Sequence, residues 1–250
     1  MLSKLVRAVL AAAIAFGATA SEAARVAPMI VEVQPSGRGA IARVELTNPD
    51  ARTFPVEAQM MRGEISDTGE LTLTPADDDF LVFPAQAVVQ PNSQQVFRVQ
   101  YVGDPALDHS ELYYLAIRQV PVDMSVAQNQ VQVVVNFNVL VNVIPDGAVA
   151  NPEMVSAHPA TRNDAAGIEV QIANRGNRYF NAGMLEWRIA GTGADGQAYA
   201  QTIPPNEIIR SVGVGVVAPG RTRTFFVPTQ RSLADAPIQV TLNVPSGSGS

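Results

Sequence analysis

Residues able to carry chemistry are few in this sequence, and they are scattered. His109 and His158 are the two histidines, 49 positions apart with no partner at i, i+4, a spacing that builds no metal cluster. Cysteine is absent, which excludes disulfides, thiolate catalysis and cysteine-based zinc sites. Asp77-Asp78-Asp79 is a run of acids without the alternating spacing of a calcium loop and reads as a solvated turn. Neither a Gly-x-Ser-x-Gly elbow nor a His-Glu-x-x-His pair occurs, so hydrolase templates lack their fixed parts. The glycines of 191–196 read as a turn, because a phosphate loop needs a helix after it and a strand-like segment follows. Trp187 and Arg188 read as core and surface of one strand. The expectation is a protein that is not an enzyme, with no cofactor, no metal and no small-molecule substrate.

What the sequence offers instead is a ribbon. Residues 131–144 carry apolar side chains at every odd position, Val131, Val133, Val135, Phe137, Val139, Val141 and Val143, with Val134, Leu140 and Ile144 on the other side and no charge anywhere. Fully extended, these fourteen residues span about 46 Å, well beyond an ordinary strand. Two readings are open: a central strand buried on both faces, and an edge whose apolar row meets a partner. Soluble proteins protect long apolar edges with charge, proline or bulges, because unpaired N–H and C=O groups invite another strand. If this ribbon is an edge, a docked partner or a self-capping oligomer covers it.

The elements that must hold this ribbon are strands. The chain has 250 residues, 47% of them hydrophobic and 16% charged, with 18 Gly and 18 Pro, the composition of a turn-rich globular protein. A formal charge of −6 gives no basic footprint for nucleic acid. Apolar–polar alternation marks strands at 29–34, 40–46, 54–61, 70–73, 87–89, 94–101, 112–120 and 131–144, separated by turn residues such as Asn48-Pro49-Asp50 and Asp67-Thr68-Gly69. After Pro145-Asp146-Gly147, a second series follows at 167–173, 181–189, 208–217, 222–227 and 238–244. Helical periodicity is nowhere sustained beyond the first segment. The fold class expected is all-β, two immunoglobulin-like sandwiches on a short linker.

That first segment reads as an export signal. Lys4 and Arg7 precede an apolar run that ends at Ala18-Thr19-Ala20, a small-x-small cleavage pattern. The run is too short to cross a bilayer about 30 Å thick. Cleavage after Ala20 leaves 230 residues with a formal charge of −8 and no lysine. The expected organisation is a cleavable signal at 1–20, an N-terminal domain at 21–146, a C-terminal domain at 147–246 and a flexible tail at 247–250.

These landmarks resemble the periplasmic pilus-assembly chaperones of the PapD-like family across nearly the whole mature chain. Ala27-Pro28, Thr47-Asn48-Pro49, Pro55-Val56-Glu57-Ala58-Gln59, Phe83-Pro84, Pro91 with Val96-Phe97-Arg98, and Tyr113-Tyr114-Leu115-Ala116-Ile117-Arg118-Gln119-Val120-Pro121 stand in the family's order and approximate spacing. The resemblance implies that 131–144 is the strand lent to a pilin lacking its own last strand, by donor-strand complementation. It implies Val131, Val133, Val135 and Phe137 as donor residues, a pilus or fimbrial subunit as client, and an outer-membrane usher as the recipient. The familiar members hold the client's terminal carboxylate with an Arg and a Lys, where this chain has Ile30 and Leu140. That departure suggests a divergent or archaic-type branch. Arg118 is the candidate substitute anchor, against the plainer reading of an Arg satisfied locally. The rival expectation is a secreted immunoglobulin-like adhesin or pilus subunit. Its complementing N-terminal extension is missing from Ser21–Ala27, which is short and mostly small or polar.

Overall fold

The computed structural model describes residues 23–120 and 134–243; the expected signal and the tail at 247–250 lie outside them. Two sheets form the first sandwich. One is ordered β1 (Arg25–Ala27), β3 (Ile41–Asn48), β8 (Ser93–Tyr101), β6 (Phe80–Phe83). The other is ordered β2 (Ile30–Val33), β10 (Asn136–Val143), β9 (Glu111–Gln119), β4 (Phe54–Ile65), β5 (Leu71–Pro75), with β7 (Gln86–Val89) also pairing β4. The chain changes sheets at the cis peptide Ala27-Pro28, so β1 pairs β3 while β2 runs parallel to β10. Alternation explains the core: Val44, Leu46, Phe97 and Val99 from one sheet meet Tyr113, Leu115, Ile117, Val139, Val141 and Val143 from the other, all fully buried.

The second sandwich is built from β11 (Pro152–Arg162), β12 (Ala165–Asn174) and β17 (Thr222–Pro228), facing β15 (Ala198–Ile203), β14 (Glu186–Thr192) and β18 (Gln239–Asn243). Trp187 fills its centre and donates Nε1–H to the Ala182 carbonyl at 2.8 Å, while Arg188 lies exposed. The strand expected at 208–217 is corrected: α1 (Pro205–Val212) occupies most of it, before the short β16 (Val216–Val217), which pairs β13 (Phe180–Asn181). Pro205 stands in the first helical turn and Gly213, at φ +63°, closes the helix. Ile208 and Val212, four apart, turn inward on one helical face. The strand expected at 181–189 is split by a single 3-10 turn, and β11, an exposed edge carrying Pro152 and Pro159, shows too little alternation to read.

The second domain rests on the outward face of the β2–β10–β9 sheet. Leu112, Tyr114, Leu140 and Ile144 pack there against Tyr179 and Val216. Around this contact the Tyr179 hydroxyl donates to Glu32 at 2.6 Å, Arg178 pairs with both Glu32 oxygens at 2.9 and 2.8 Å, and Ser110 N–H donates to the Asn177 carbonyl at 2.8 Å. Farther across, Thr224 N–H donates to the Asp67 carbonyl at 2.8 Å. Beside it Gly69, at φ +96°, leaves room for Arg223: a Cβ there would sit 2.5 Å from its Nη2. The connection between the domains is therefore tied at both sides of the sheet.

Candidate functional site

Strand β10 has two halves. From Leu140 to Val143 it is paired on both edges, with β2 and with β9. From Asn136 to Val139 only β9 lies beside it among the described residues. Leu140 N–H donates to the Met29 carbonyl at 3.0 Å and Ile144 N–H to that of Val33 at 2.8 Å, while Gln119 N–H donates to the Val135 carbonyl at 3.2 Å. Even-numbered residues thus turn their backbone groups towards β2, odd-numbered ones towards β9. Since β2 starts only at Ile30, opposite Leu140, the N–H and C=O of Asn136 and Asn138 face an edge that is open among the described residues.

The side chains divide at the same point. Val139, Val141 and Val143 are sealed in the core, Phe137 packs half-buried against it, and Val135 is half-buried just outside the strand. Val131 and Val133, the other two donor candidates, lie outside the described residues. Ile30 and Leu140 are direct neighbours across the β2–β10 pair, so the two positions that the resemblance assigns to an anchor do meet. They meet as an apolar pair: Leu140 is 4% exposed and both join the cluster under the second domain. Arg118 is elsewhere. It is exposed on β9, opposite Asn136 on one side and Glu57 on the other, and makes no ion pair among the described residues. Tyr114 is the residue opposite Leu140, which puts Arg118 four residues, about 13 Å, along the strand from the Ile30–Leu140 pair.

One feature of this face is missing from the sequence reading. Pro55 stands opposite Val88, Val120 N–H donates to the Pro55 carbonyl at 3.0 Å, and the Gln119–Val135 pairing sets Val134 beside Val120. Val88, Pro55, Val120 and Val134 thereby form an outward row across four strands, with the three valines 57%, 39% and 44% exposed. Its signal was faint: in each case a single apolar residue out of phase with its strand, Val88 before Val89 and Val134 between Val133 and Val135. The row ends at the open edge of β10.

A cluster of charged residues in the first domain is bonded internally, away from this face. Arg62 bonds Glu111 at 3.0 Å and Asp79 at 2.8 Å, and Tyr113 closes the cluster through its hydroxyl. Burial alone would lower the Arg62 pKa, but Glu111, Tyr113 and Asp79 outweigh it and hold the guanidinium above its ordinary value. Burial, then Glu111, pushes the Tyr113 phenol well above the usual range. Asp79 of the acidic triplet is thus an ion partner in a structural cluster, while Asp77 accepts from Gln59. No group of three or more His, Asp or Glu able to hold a metal occurs among the described residues. The arrangement offers strand pairing and apolar contact.

Comparison with known proteins identifies the first domain and the fold. Residues 29–148 match the family profile of the pili and flagellar-assembly chaperone, PapD N-terminal domain. No curated protein sequence matches the chain. Among solved structures, a chain of the Salmonella enterica SafA pilin–SafB chaperone complex is similar over 91% of this chain and 99% of its own, at 17% identity and a TM-score of 0.56. The Escherichia coli chaperone DraB is similar over 88% and 95%, at 13% identity and a TM-score of 0.51. So is a chain of the chaperone–tip subunit complex CsuC–CsuE of Acinetobacter baumannii archaic pili, over 82% and 91%, at 10% identity and a TM-score of 0.51. At such identities the likeness is one of fold, all-β and two-domain, and the family assignment rests on the sequence match. Residues 29–148 are thus a PapD N-terminal domain of the pili and flagellar-assembly chaperone family.

Proposed function

We propose that the protein is a periplasmic chaperone that captures pilus or fimbrial subunits by donor-strand complementation. A subunit's incomplete sandwich adds along the open edge of β10, and Val131, Val133, Val135 and Phe137 fill its groove. The observation that carries this reading is the uncharged, half-paired stretch 134–138, with backbone groups of Asn136 and Asn138 facing outward. Each apolar side chain buried in a client contributes about 1.5–3 kcal/mol before ordering costs, and each ladder hydrogen bond about 0.5–1.5 kcal/mol. Neither ATP nor a cofactor enters, because an incoming subunit's own strand can displace the lent one by exchange.

Arg118, exposed and unpaired among the described residues, is the cation nearest the open half and the proposed partner of the client's terminal carboxylate. The row Val88–Pro55–Val120–Val134 leaves an apolar face for an outer-membrane usher, the recipient in the proposed delivery. A client co-expressed with the wild type is expected to copurify as a soluble complex. The double variant Val133→Asp/Val135→Asp should lose that complex while the free protein keeps its circular dichroism spectrum; an undiminished complex rejects the donor assignment. Arg118→Ala should weaken capture without abolishing it, and unchanged capture removes Arg118 from the site.

A further inference from the structure

We propose that the outward face of the other sheet, β1–β3–β8–β6, docks an extended acidic segment of a partner protein along the outer edge of β6. The argument is one of charge and pairing. Strand alternation turns Val44, Leu46, Phe97, Val99 and Phe80 into the core, and so leaves the odd residues of β3 and β6 and the even residues of β8 outside. Register then sets Arg43 directly opposite Arg98, and Arg98 opposite Phe83. Like charges facing each other across a strand pair destabilise a sheet unless an anion lies over them. Neither arginine makes an ion pair among the described residues, and the side-chain hydrogen bond of Arg98 goes to the neutral Gln100 at 2.9 Å.

In a chain of formal charge −6, this face carries Arg25, Arg43 and Arg98 against the single carboxylate of Glu45. Next to the arginines stand Phe83, 76% exposed, and Leu81, 58% exposed, with Val96 one row on. An apolar strip flanked by unpaired guanidinium groups fits side chains that alternate carboxylate and hydrocarbon. The partner is a polypeptide, because among the described residues β6 pairs with β8 alone and its outer edge offers N–H and C=O groups that a lipid surface cannot pair. A strand added there lies about 10 Å from the β8 backbone, a gap that an arginine and a glutamate span together. This face belongs to the sheet opposite β10, so a client and the acidic segment can bind at once.

The test uses the mature chain and a fluorescent eight-residue peptide alternating Glu and Val, with a Lys/Val peptide and phosphatidylglycerol vesicles in parallel. Saturable binding of the Glu/Val peptide is expected. Affinity should fall at least tenfold in Arg43→Glu/Arg98→Glu and in Phe83→Ser, and stay unchanged in Val135→Asp. All these positions are exposed or half-buried, and circular dichroism confirms that each variant is folded. Absent binding, equal binding of the Lys/Val peptide, preference for vesicles, loss with Val135→Asp instead, or a Phe83-dependent dimer in place of peptide binding each overturns the proposal.

Discussion

The two halves of β10 are both uncharged with apolar odd positions, and have different fates. From Leu140 to Val143 the ribbon is held by strands on both edges, by the core on one face and by the second domain on the other. From Asn136 to Val139 the ribbon, uncharged too, keeps one neighbour and one edge open among the described residues. Hydrophobicity did not separate the halves. The boundary is set by where β2 begins, and β2 begins where the chain has changed sheets at Ala27-Pro28. An apolar strand is therefore a core element or a binding element according to what the rest of the fold places beside it.

That comparison can be broken most forcefully in the closed half. Val141→Asp puts a charge without a partner into a dry core, at a cost of roughly 3–5 kcal/mol or more, and the first domain should lose its cooperative urea transition. The matching change in the open half, Val135→Asp, is expected to shift the unfolding free energy by no more than about 0.5 kcal/mol. Equal destabilisation by the two would erase the distinction. A smaller effect concerns the latch that pins β2. Glu32→Gln removes a half-exposed pair with Arg178, worth about 0.2–1 kcal/mol, and should widen the distribution of domain angles in solution scattering while leaving the open edge intact.

The mildest probe is pH. Burial and Glu32 raise the Tyr179 phenol, and burial and Glu111 raise that of Tyr113, above their ordinary value near 10. A raised folded-state pKa favours the neutral phenol in the folded protein. Its stabilisation is complete below pH 10 and is lost as pH climbs above it. Thermal midpoints should consequently be flat from pH 7 to 9 as far as these groups are concerned and fall beyond pH 10. Tyr179→Phe should remove part of the fall assigned to the domain contact, and an unaltered alkaline profile would separate Tyr179 from it.

Much of the first domain was legible because alternation is a local signal: Val44 and Leu46, or Phe97 and Val99, show their inward face in five residues of sequence. The edge strand β11 was not, since an exposed edge has no single face to keep apolar, and the helix at Pro205–Val212 hid because two turns hold too few apolar residues to display a period. At the candidate site, the uncharged ribbon was readable; the place where it opens was not. Arg118 was visible as a cation but not its distance from Leu140, which depends on how two strands register.

By itself, then, the sequence determined the all-β class and the uncharged character of residues 131–144, properties that neighbouring residues declare to one another. Only the tertiary structure decided that β2 begins at Ile30, that the second domain covers Leu140, and that Arg43 faces Arg98. Those facts arise between residues far apart in the chain, where hydrogen-bond register and packing, rather than residue type, choose which surface is closed and which is left for another molecule.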